Sequence, residues 1–133
     1  MRVAVIGESP AKGFENCTPI WGVRETDGKR CATGRRWGEW AMHVGINPFD
    51  CDYFNLSTGV PDLTGYDLVV TLGAKARRYL EQQGDGVEYF PLPHPSGRNR
   101  QLNDKMRLTL MLTMLKELVQ RRKNAVLGEG TVR

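Results

Sequence analysis

A histidine, a serine, an asparagine and two arginines fall within the seven residues His94-Pro95-Ser96-Gly97-Arg98-Asn99-Arg100. Pro93 and Pro95 hold the backbone on either side of His94 in extended or turn geometry. Gly97 then permits a positive-φ turn or the close approach of a ligand. A polar turn capping the next helix would need fewer such groups, so the stretch reads as a functional loop. A second chemistry-bearing loop, Glu8-Ser9-Pro10-Ala11-Lys12-Gly13, lies near the start of the chain and carries a carboxylate and a hydroxyl.

Both loops follow apolar runs that read as buried strands. Arg2-Val3-Ala4-Val5-Ile6-Gly7 is β-branched and stopped by glycine, the pattern of a strand covered on both faces. The run Val87 to Leu92 precedes the His94 loop in the same way. Between them, Asp52 to Ser57 and Tyr66 to Gly73 give two further strands, with Asn55 near the carboxyl end of the first. Helices alternate with these strands. Thr33 is placed to cap one that runs to about Val44, with Trp37, Trp40, Ala41 and Val44 on its core face. Ala74 to Gln83 forms another, exposing Lys75, Arg77 and Arg78. The last runs from about Arg100 to Arg122, with Leu108, Met111, Leu112, Leu115 and Val119 as its buried stripe. Met106, Met111 and Met114 are expected to fill gaps in the core.

This alternation predicts an α/β fold, a three-layer α/β/α sandwich with a four-stranded, largely parallel central sheet. Residues 1–123 form one domain, and 124–133 are expected as a flexible tail. Three loops then converge at the carboxyl edge, where ligands bind in open α/β sheets: residues 7–22, the turn after Asn55, and 93–100.

Composition narrows the choice of partner. The 133 residues carry 19 Lys+Arg against 15 Asp+Glu, a net charge of +4 that is compatible with a polyanion. No apolar run is long enough to span a bilayer, and the Met1 to Gly7 segment lacks a signal peptide's apolar core. An intracellular, cytoplasmic protein with no membrane partner is therefore expected. Cys17, Cys31 and Cys51 are odd in number, widely spaced and without a Cys-x-x-Cys pair. They read as free thiols, and no metal site or cofactor is expected.

Taken together, Gly7-Glu8-Ser9-Pro10-Ala11 after the first strand and His94-Pro95-Ser96-Gly97-Arg98-Asn99 after the last resemble the uracil-DNA glycosylase superfamily. The first segment is similar to the family's Gly-x-x-Pro-x motif, in the Gly-Glu-Ala-Pro-Gly form of its iron–sulfur branch. The second occupies the place of its His-Pro-Ser or Asn-Pro-Ser motif. Trp21, fourteen residues after Gly7, matches the family's base-stacking aromatic, and Asn55 matches its base-reading asparagine. The resemblance spans residues 2 to about 120. Three scattered cysteines do not supply the four ligands of that branch's cluster. Ser9 stands where other branches carry Asp or Asn.

The resemblance implies a DNA glycosylase that hydrolyses the N-glycosidic bond of a uracil or other damaged or modified base flipped out of DNA, in either a duplex or a single strand. Glu8 and His94 would be catalytic: the carboxylate positions water and offsets positive charge on the sugar, and the imidazole stabilises the departing base. Gly7, Ser9, Pro10, Trp21 and Asn55 would bind the base; Ser96, Gly97, Arg98 and Arg100 would contact DNA, with Arg98 wedged into the vacated stack. A monomer is expected. An alternative is a nucleic-acid or nucleobase binding module whose chemistry was lost at Ser9. A nucleotide-binding protein using the Gly7 to Gly13 loop is a third reading, weakened by the absence of Gly-x-Gly-x-x-Gly spacing and of a P-loop lysine.

Overall fold

The computed structural model describes residues 1–8, 32–57, 59–83, 86–95 and 104–131. Four strands form one sheet: β1 (Val3–Gly7), β2 (Asp52–Asn55), β3 (Leu68–Leu72) and β4 (Phe90–Leu92). Their order is β2-β1-β3-β4, and every pairing is parallel. The two central strands, β1 and β3, are buried at every residue. That is why they read in the sequence as continuous apolar runs rather than as alternation.

Three helices cover the sheet: α1 (Ala32–Val44), α2 (Ala74–Gln83) and α3 (Lys105–Thr131). On one face Trp37, Trp40, Ala41 and Val44 of α1 and Leu112, Leu115 and Val119 of α3 pack with Val3, Val5, Val70 and Leu72. On the other face Ala76 and Leu80 of α2 and Leu63 pack with Ala4, Ile6 and Val69. The molecule is thus a three-layer α/β/α sandwich with an all-parallel four-stranded sheet. Alternate residues of β1 serve opposite cores, as a period of two requires.

The helix ends follow local chemistry. Gly45, at φ +87°, closes α1 with Gly45 N–H donating to Met42 O (3.3 Å) and Ile46 N–H to Ala41 O (2.8 Å). This paired arrangement needs a left-handed residue just past the last turn. Lys123 of α3 donates to the Gly45 carbonyl and ties the two helices of that layer together. A short 3-10 turn, Pro48–Asp50, leads into β2 behind the Asn47 cap. There Tyr53 accepts a hydrogen bond from Trp37 Nε1 (3.0 Å) and donates to the Pro48 carbonyl.

Several boundaries depart from the sequence reading. α1 begins at Ala32, so Thr33 lies inside the first turn rather than before it. α3 begins at Lys105, not near Arg100, because Asp104 caps it: its Oδ1 accepts from Arg107 N–H at 3.0 Å. It then continues to Thr131, through most of the stretch expected as a tail. Of the three methionines assigned to the core, only Met111 packs there; Met106 is 84% exposed and Met114 52%. With Leu110 they fall at i, i+4 and i+8 on the face opposite the buried stripe.

Candidate active site

The connection from β1 passes to α1 on one face of the sheet, and that from β3 passes to α2 on the other. Adjacent strands whose connections part in this way leave a crevice between their carboxyl ends, the topological switch point of an open α/β sheet. Glu8 follows directly on β1, and Gly73 directly on β3.

Gly73 adopts φ +99° and links two elements: its N–H donates to Leu92 O (3.0 Å), and its carbonyl accepts from Arg77 N–H (3.2 Å) as α2 begins. A Cβ at this position would lie 2.7 Å from Glu8 Oε1 and 3.3 Å from both Cβ and Cδ2 of His94. Glu8 Oε1 and His94 Cδ2 are therefore at most about 6 Å apart. The missing side chain is what lets a carboxylate from β1 and an imidazole from beyond β4 approach each other across the strand between them. Glu8 and His94 are each half-buried.

Asn55, the last residue of β2, is fully buried and lies in register with Gly7. Leu56 N–H donates to Gly7 O (3.0 Å) and Ser57 N–H to Glu8 O (3.3 Å), so the turn after β2 is tied to the start of the Glu8 loop. Asn55 thus sits one strand spacing, roughly 4.8 Å, from the backbone that carries Glu8. On the other side Pro93 and Pro95 are buried around His94, and Arg36 of α1 donates from its Nη1 to Pro95 O at 3.0 Å.

The structure accordingly brings Gly7, Glu8, Asn55 and His94 to one edge of the sheet. Ser9, Pro10, Trp21, Ser96, Gly97, Arg98 and Arg100 lie outside the described residues, as do Cys17 and Cys31. Cys51 is a buried free thiol in the core. Lys75, Arg77 and Arg78 are exposed on α2, with Arg77 Nε paired to Glu81 at 3.0 Å. Two wider cavities, about 370 and 300 Å³, open at the opposite edge, beside the starts of β1 and of β3 and β4. Among the described residues, no three His, Cys, Asp or Glu side chains cluster as a metal site would require.

Two contributors were not legible beforehand. Gly73 was recognisable as a strand terminator, but its role as the gap between Glu8 and His94 depends on sheet order. Arg36 carries no local signal, since only the packing of α1 brings it to the His94 loop. Fold and site define an α/β protein with a carboxylate and an imidazole close together at its switch point. No protein-family model and no curated protein matches the sequence. Among the described residues, no helix is long and apolar enough to cross a membrane.

Proposed function

We propose that the chain is a DNA glycosylase, hydrolysing the N-glycosidic bond of a uracil or other modified base turned out of a DNA strand. The observation that carries this reading is the placement of Glu8 and His94 on either side of Gly73, at the same sheet edge as the buried amide of Asn55. The resemblance of both flanking motifs to uracil-DNA glycosylases gives that constellation its chemistry.

Cleavage breaks the bond between C1′ of the sugar and a ring nitrogen of the base. The electron pair leaves with the base, and the sugar acquires oxocarbenium character. His94 would donate a hydrogen bond to a carbonyl oxygen of the departing base, where negative charge collects. Glu8 would orient water toward C1′, offset the sugar's positive charge and take the proton released as the new C1′–O bond forms. The Asn55 amide offers both a donor and an acceptor to a pyrimidine edge. Turning the base out of a duplex costs a few kcal/mol, less from a mismatch or a single strand. Exposed cations on α2 suit the phosphates of that strand.

The test uses end-labelled oligonucleotides bearing uracil, mismatches or modified pyrimidines, followed by alkaline cleavage of abasic sites. The expected result is abasic product on at least one substrate, reduced about 10²–10⁴-fold in Glu8→Gln and His94→Ala. Salt-sensitive binding with no abasic product on any substrate would overturn the reading and favour a binding module.

A further inference from the structure

A smaller cavity adjoins the candidate site on the side away from Glu8. It is about 120 Å³ and is walled by Gly73 and Ala74, by Pro91, Leu92 and Pro93, and by Leu108 and Met111. Arg77 of α2 and Arg107 of α3 complete its lining. Two helices that pack on opposite faces of the sheet thus each bring an arginine to one recess.

We propose that this recess holds one backbone phosphodiester of the nucleic-acid strand, gripped between Arg77 and Arg107. The proposal rests on the base-excision reading for the identity of the strand, but its residues are distinct from Glu8, Asn55 and His94. Size argues for a small group: ligand pockets that enclose a whole small molecule start at roughly 300 Å³. Charge argues for an anion. Residues 74–78 at the start of α2 carry Lys75, Arg77 and Arg78, and the first turn of α3 carries Lys105 and Arg107. Neither first turn holds an acidic residue, Glu81 lying further along α2 and Asp104 just before α3. Those two carboxylates are engaged locally. Glu81 holds Arg77 Nε at 3.0 Å beside Tyr89, and Asp104 caps α3; the exposed Arg77 guanidinium would turn from this pair to meet a ligand. Arginine suits the task because its planar fork can present two parallel donors to phosphate oxygens. Apolar walls at Pro91, Pro93 and Met111 lower the local dielectric and strengthen the contact. Position argues for the strand that enters the site. The recess shares Gly73 with the space flanked by Glu8 and His94, so a phosphate seated there belongs to a nucleotide beside the one presented to those two residues.

The experiment measures binding of a fluorescent single-stranded oligonucleotide across a salt series, for the full chain and for Arg77→Ala, Arg107→Ala and the double variant. Exposed Lys116→Ala, away from the recess, serves as control. Loss of one phosphate contact should flatten the log–log salt dependence by about 0.7 in the double variant. Affinity should fall several-fold, while Lys116→Ala keeps the native slope. A native slope in the double variant would overturn the proposal. So would equal sensitivity of a nucleoside monophosphate to the two substitutions, which would assign the recess to a free phosphate. The failures separate. Abasic product with an unaltered slope leaves the catalytic reading standing and removes this subsite. A flattened slope with no product from any substrate does the reverse.

Discussion

Gly73 is the position at which a single methyl group should matter most. Alanine there would adopt a left-handed backbone conformation that costs an L-residue about 1–2 kcal/mol. Its Cβ would also enter the space of Glu8 Oε1. The second effect is the more damaging for function, because a carboxylate displaced by even 1 Å no longer orients water at a fixed carbon. Gly73→Ala should therefore lower the denaturation midpoint modestly and the rate of base release by at least 10²-fold. A variant that unfolds earlier yet cleaves at the native rate would show that the contact of Gly73 with Glu8 has no part in catalysis. His94 stood out by residue type and loop position, whereas the role expected of Glu8 came from the resemblance of its motif. Their mutual approach was not legible, because β3 separates their strands and nothing local to either loop encodes the sheet order.

At the scale of elements, helix α3 shows how far periodicity carries. Leu108, Met111, Leu112, Leu115 and Val119 were identifiable as its inner stripe, and all five pack against the first core. Met106 and Met114 are apolar by type but not core by phase: both fall on the stripe of Leu110, which is 61% exposed. The two faces should respond differently to truncation. Leu115→Ala should cost about 2–5 kcal/mol, since Leu115 is wholly buried in the first core. Met106→Ala should stay within about 0.5 kcal/mol of the parent. Urea unfolding of the two variants measures the difference, and comparable losses would place Met106 in a packed environment. The helix start was missed for a related reason. Asp104 supplies the cap, but an aspartate four residues before Leu108, the first apolar position of the stripe, is not distinguished by periodicity from a residue within the helix.

For the molecule as a whole, the alternation of apolar runs and helical stripes was enough to specify a parallel α/β sandwich. Each central strand had to be covered on both faces. The long path from β2 to β3 was less legible. It crosses β1 without forming a regular helix in residues 59–67 and covers the second core with Val60, Leu63 and Tyr66. Global stability carries a pH signature from the first core. Burial pushes the Cys51 thiol from about 9 up to about 11, and burial likewise raises the Tyr53 hydroxyl. A group that holds its proton more tightly when folded contributes fully below its unfolded value. That contribution is lost as pH rises toward the folded one. Stability should therefore fall between pH 9 and 11, and the fall should be shallower in Cys51→Ala. Equal slopes in parent and variant, measured by urea midpoints across that range, would exclude Cys51 as a source.

The central claim, that Glu8 and His94 form a base-excising pair, is tested most directly by the released product. An oligonucleotide panel bearing uracil or modified pyrimidines is incubated with the protein, and free base is quantified by mass spectrometry alongside abasic sites. The account predicts one free base for each abasic site from at least one member of the panel, with both signals lost together in Glu8→Gln. Oligonucleotides that bind in a salt-dependent manner while no base is released from any of them would contradict it.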